Sequence, residues 1–201
     1  MLDATLATIV ADDILHAKWL NTLSFMENAG AKKISASEHK EKVNLIILKH
    51  AAEEHRHAYY LKKQISKINP ESCPTYANAE LLSPANTKYY LHALDIAVCR
   101  YLKEKFNLSG YDLKFAAYLF VTYAIEVRAD ELYPIYQDIL DRSNSKVNVK
   151  SIILEEEGHL EEMIKQLATF SKDWKQYADD VIAIEQALFQ NWTKDLATEI
   201  G

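Results

Sequence analysis

The chain has 201 residues, with 23 Lys and Arg against 29 Asp and Glu and a formal net charge of -6, which argues against a broad electrostatic grip on nucleic acid. Cys73 and Cys99 stand alone and form no disulfide framework, which fits a reducing cytosol. The start, Met1-Leu2-Asp3-Ala4, lacks a signal peptide's cationic and apolar runs, and no segment is long and apolar enough to span a bilayer, so the expectation is a cytoplasmic protein with no membrane partner.

Only 4 Gly and 4 Pro interrupt the chain, and apolar residues recur at three- and four-residue steps. The sequence therefore predicts an all-α fold in one domain, residues 1–201. A first helix is expected over 12–36, with a softer lead-in from Leu2. Leu20, Leu23, Glu27, Ala31 and Ile34 share one face of it, and Gly30 is read as a point of close packing. Asp13-x-x-His16 lies well up the same helix and reads as a polar bundle end.

Ser37 is expected to cap a second helix running to about 68. Its inward stripe carries Ile47, His50, Glu54, His57, Ala58, Leu61 and Ile65. A loop follows over 69–84. A helix over 85–106 carries no ligand motif, so 69–110 reads as a crossover; its His92-x-x-Asp95 reads as an exposed pair. The third bundle helix, 111–141, places Phe115, Leu119, Thr122, Glu126 and Tyr133 roughly on one face. Pro134 is expected to bend it. The fourth, 144–170, presents Ile152, Ile153, Glu156, His159, Leu160, Met163 and Leu167. A last helix is expected over 171–198.

The chemistry concentrates in two Glu-x-x-His steps, Glu54-x-x-His57 and Glu156-x-x-His159, each preceded about a helix length upstream by an in-stripe glutamate, Glu27 and Glu126. Positions i and i+3 share a helix face, so a Glu and a His at that spacing can serve one metal, or the Glu can bridge to a second. One such step carries little weight. Two on separate helices, with flanking glutamates in the same order, predict a set of four carboxylates and two imidazoles inside a four-helix bundle. A buried, unpaired carboxylate is too costly to leave without a partner. The donors suit iron or manganese.

Around these six, Glu53, His55, Arg56, Glu155, Glu157, Glu161 and Glu162 read as solvated helix charges. His50, one turn before Glu54, reads either as a partner behind the ligands or as packing. Asp130, one turn after Glu126, either orients a ligand histidine or pairs at the surface. Thr122 and Tyr123, each about one turn from Glu126, are the candidate reactive residues lining an oxygen pocket. Leu23, Ser24, Ala58, Ile153 and Leu160 are further candidates for its walls.

The pattern Glu27, Glu54-x-x-His57, Glu126, Glu156-x-x-His159 resembles the ferritin-like di-iron carboxylate superfamily over about residues 12–170. That resemblance implies an antiparallel bundle with a long crossover and two iron ions, or manganese, or a mixed pair. Both Glu-x-x-His steps being intact is similar to the oxidase and oxygenase branches, among them aldehyde-deformylating oxygenases and a tRNA hydroxylase. Storage ferritins usually lack the second histidine, and rubrerythrins add a glutamate where this chain has Ala129. The expected partners are therefore dioxygen, a small organic substrate and a protein electron donor, in a homodimer. A modified tRNA stays open as the substrate. Ferroxidase or storage activity, peroxide reduction and a purely structural metal are the competing expectations.

Overall fold

The computed structural model describes residues 2–201. Among them are seven α-helices, one short 3-10 turn at Asn78–Glu80 and no strand. The α-helices are α1 (Leu2–Ala11), α2 (Asp13–Ala36), α3 (Leu45–Ile65), α4 (Pro84–Phe106), α5 (Gly110–Arg142), α6 (Lys150–Phe170) and α7 (Trp174–Ile200). The all-α expectation holds, and the helices carrying the two motifs lie where the apolar periodicity put them.

Local chemistry sets the ends. The Asp12 side chain accepts from the Ile14 and Leu15 N–H groups at 2.8 and 2.9 Å, which separates α1 from α2. Asn44 caps α3 in the same way, through Ile46 and Ile47. Ser37 was expected to start that helix and instead ends α2, its hydroxyl donating to the Ile34 carbonyl at 2.6 Å. The polar run between them is turned by His39, whose Nδ1 accepts from the Glu41 and Lys42 N–H groups. The helix expected over 144–170 also starts late, at Lys150. Asn144 takes a left-handed conformation, φ 51°, which a helical first turn excludes. α5 runs on through Pro134. The carbonyl that loses its helical partner belongs to Asp130, which is exposed and open to water.

Antiparallel pairing follows from the contacts. Along α2 and α3, Asn21 meets Lys62 while Ser24 meets Ala58. Along α5 and α6, Gln137 meets Val149 while Phe120 meets Phe170. The α3–α6 seam is antiparallel too, since His50, Arg56 and Tyr60 pair with Glu162, Glu155 and Asn148. α2, α3, α5 and α6 thus surround one interior. α4 and α7 pack on each other and on α5, and cover the side where α2 and α5 meet.

Two apolar clusters fill the molecule. One joins α1, α2, the end of α5 and α7 around Leu6, Trp19, Tyr136 and Trp192. The other lies at the opposite end, around Ile47, Leu94, Phe120 and Met163. Between the two sit the carboxylates.

Candidate metal centre

All six predicted ligands converge. Glu54, His57, Glu126, Glu156 and His159 are buried, and Glu27 is half-buried. They form two overlapping groups: Glu27, Glu54, His57 and Glu156, and Glu54, Glu126, Glu156 and His159. Within each group the candidate ligand atoms lie within 4.8 Å of one another. Glu54 and Glu156 belong to both, so the set has the shape of two neighbouring sites joined by two carboxylates. This buried cluster can hold a metal ion.

The imidazoles show why a cation fits. His57 Nε2 lies 2.8 Å from Glu155 Oε2, and His159 Nε2 lies 2.8 Å from Glu53 Oε2. A carboxylate only accepts, so each Nε2 carries a hydrogen; each Nδ1 then meets the cluster either as a lone pair for a metal ion or, with no metal, through a second proton. His57 Nδ1 then points at Glu156 Oε1 at 3.1 Å and Glu54 Oε2 at 3.6 Å. His159 Nδ1 faces Glu156 Oε2 at 3.1 Å, Glu54 Oε1 at 3.6 Å and Glu126 Oε1 at 3.7 Å. Lone pairs facing carboxylate oxygens in a buried space repel unless protons or metal ions sit between them.

With protons alone the balance is visible in the acidities. Burial first, then neighbouring carboxylates, push Glu27 and Glu126 well above the ordinary carboxylate range. Burial opposes charge on His57, but Glu156, Glu54 and Glu27 outweigh it and raise the ring to about 12. His159 is raised to about 9 against the same burial, chiefly by Glu156. Glu156 is held low despite burial because Glu126, His159 and His57 all donate to it. Metal binding would displace these protons.

Several residues read as solvated charges belong to the site. Glu53 and Glu155 brace the imidazoles, each from the helix opposite its partner. Arg56 bonds both oxygens of Glu155, which holds that carboxyl below its ordinary value. Glu162 accepts from His50 Nε2 at 2.9 Å and Lys49 Nζ at 2.6 Å. His50 is fully buried, and the Tyr118 hydroxyl donates to its Nδ1 at 3.1 Å; burial lowers its pKa. Its ring packs 4.9 Å from that of His159, and its hydrogen bonds go to Glu162 and Tyr118 rather than to one of the six.

Other expectations fail. Asp130 is exposed and orients nothing at the site. The neighbouring Arg128 turns inward instead and pairs with buried Glu185 of α7 at 2.7 Å. Tyr123 is half-buried and packs edge-on against Trp174 of α7, away from the carboxylates. The tyrosine at the site is Tyr133, two turns beyond Glu126, whose hydroxyl donates to Glu27 Oε1. His16 is not at a polar end: it is buried, 2.7 Å from the Tyr136 hydroxyl, and burial lowers its pKa to about 4.

A cavity of about 370 Å³ opens beside the carboxylates, between α2, α4 and α5. Glu27, Glu54, Glu126, Leu23 and Thr122 line it. Ser24, Ala58, Ile153 and Leu160 do not; Ser24 instead donates to the Ala58 carbonyl at 2.7 Å. Gly30 does not mark close packing, since a Cβ there would meet nothing within 4 Å. It faces the cavity one turn from Glu27. The crossover helix, which carries no ligand motif, forms one wall.

The two braces share one sequence feature, a place immediately before Glu54 or Glu156, but Glu155 lies in a run of three glutamates, so that feature does not single it out. No family model matches the chain, and no curated protein and no solved structure matches it. No helix is long and apolar enough to cross a membrane among the described residues.

Proposed function

We propose that the chain is an oxidoreductase of the di-metal oxidase or oxygenase type, acting on an organic substrate with dioxygen. The observation that carries this reading is the sharing of Glu54 and Glu156 by two four-ligand groups that border a largely apolar cavity. The donor set, four carboxylates and two imidazoles, suits iron, manganese or a mixed pair. When bound, two such ions would supply electrons to dioxygen, and a protein donor would restore them.

The chain's own residues do the rest. Glu53 and Glu155 keep Nε2 protonated, so that Nδ1 is always the ligand atom. Tyr133 holds a proton at Oη toward Glu27. Thr122 and the apolar walls keep bulk water from the carboxylates. A cavity of this size favours an organic substrate over simple iron handling, which needs only a path for ions.

Elemental analysis of protein expressed with ample iron and manganese should find about two metal ions per chain. His57→Ala, His159→Ala, Glu27→Ala and Glu126→Ala should each lower occupancy. His55→Ala and Glu131→Ala, both on exposed faces, should not. Protein free of transition metal would end this reading. A hollow cage that deposits a mineral core from ferrous iron would replace it with storage.

A further inference from the structure

We propose that the cavity is a blind tunnel for an unbranched alkyl chain with an anionic head, the head at the Lys114 mouth and the tail directed inward. Three helices each contribute a stripe at three- or four-residue steps. α2 gives Leu23, Glu27, Gly30 and Lys33; α4 gives Leu91, Asp95 and Cys99; α5 runs from Lys114 through Ala117 and Val121 to Leu132. Leu23 to Ser37 on α2 spans about 21 Å at roughly 1.5 Å per residue. A volume of about 370 Å³ spread along that length is narrow, about one alkyl chain wide. A methylene is close in size to a water's share of the liquid, about 30 Å³, so the space holds on the order of a dozen.

The two ends differ. Ala36, Gly110 and Lys114 are exposed, whereas Tyr90, Phe189 and Trp192 at the far end are buried. The tunnel therefore opens at the first group and stops against the aromatics. Lys114 has no ion-pair partner among the described residues, while Lys33 beside it is paired to Asp95 at 2.8 Å. The deep cation, Arg128, is already matched by both oxygens of Glu185. An anionic head thus finds an unmatched charge only at the mouth. Walls of Leu, Met, Val and Ile carry the tail inward, and its distal carbons pass Glu27 and Glu126. That the bound chain is a substrate rests on the oxidase reading; that it binds does not.

Calorimetry on the full chain, with metal content measured on the same samples, tests this with octanoate, decanoate, dodecanoate and dodecyltrimethylammonium. Affinity should rise by up to roughly fourfold per added methylene. Lys114→Glu, an exposed change, should weaken dodecanoate roughly three- to fivefold, the size of a rim ion pair. Gly30→Leu fills open space in the tunnel and should abolish dodecanoate binding with circular dichroism unchanged. Affinity independent of chain length, an ammonium head bound as tightly as a carboxylate, or wild-type dodecanoate binding by Gly30→Leu would overturn the proposal. If that variant fails to fold, the ligand series and Lys114→Glu decide. Two metals per chain without alkyl binding defeats this inference alone; alkyl binding in protein that takes up no metal defeats the oxidase reading alone.

Discussion

Glu53 on α3 accepts from His159 on α6 at 2.8 Å, and Glu155 on α6 accepts from His57 on α3 at the same distance. Each motif helix therefore braces the imidazole of the other. The arrangement fixes ring orientation and keeps a proton on Nε2, because the brace carboxylate can only accept, which turns Nδ1 toward the cluster.

Glu53→Gln and Glu155→Gln should each weaken metal binding by about 10- to 100-fold, the usual cost of losing a partner behind a ligand histidine. A chelator-competition titration measures it. Glu157→Gln, exposed on the same helix as Glu155, should leave affinity unchanged. Equal behaviour of Glu155→Gln and Glu157→Gln would mean that the brace does not orient His57.

The six-residue cluster was legible because chemistry and periodicity coincide: a carboxylate in an apolar stripe is an anomaly that demands a partner. The braces were not, because Glu53 and Glu155 sit at the edge of that stripe, where a solvated glutamate looks the same. Their role depends on the distance between α3 and α6, which no local pattern encodes. Tyr123 and Tyr133 show the same limit. Both are near Glu126 along the chain, at minus three and plus seven, and only the placement of α7 assigns Tyr123 to Trp174. The place of α4 was hidden for a different reason: Tyr90, Leu91, Asp95 and Cys99 line a cavity without forming any motif.

Acidity gives a prediction whose sign differs between metal-free and metal-loaded protein. His57 and His159, raised to about 12 and about 9, and Glu27 and Glu126, also raised, bind protons more tightly folded than unfolded. Their stabilisation is complete below the unfolded values, about 4.3 for Glu and 6.5 for His, and is lost as pH rises toward the folded ones. Glu156 is shifted the other way, so its contribution is already full above the ordinary carboxylate range. Metal-free protein should therefore lose thermal stability between about pH 6 and 9. Metal-loaded protein should gain over that range, because rising pH removes the protons that compete with the metal. Parallel melting curves for the two forms would contradict this account.

Tyr133→Phe removes the donor to Glu27 without opening a cavity. It should cost about 1 kcal/mol of stability, as for a typical buried hydrogen bond, with metal content retained. Tyr123→Phe should be silent in both measurements, since that residue meets Trp174 through its ring. A larger loss from Tyr123→Phe in denaturant melts would place the wrong tyrosine at the site.

α7 carries the clearest structural test outside the centre. Glu185 is buried, binds Arg128 through Nε and Nη2, and accepts from the Tyr90 hydroxyl. The guanidinium also lies 3.9 Å from the centre of the Phe189 ring. Three helices, α4, α5 and α7, are tied at one carboxylate, at the closed end of the tunnel. Glu185→Ala leaves Arg128 without its matching charge in a largely dry setting and should cost about 3–5 kcal/mol. Glu185→Leu combined with Arg128→Leu removes both charges and should recover most of that loss. Chemical denaturation of the metal-free forms separates the outcomes. A double variant as unstable as Glu185→Ala would mean that the pair contributes packing rather than charge balance, and that Tyr90 and Phe189 hold the closed end without it.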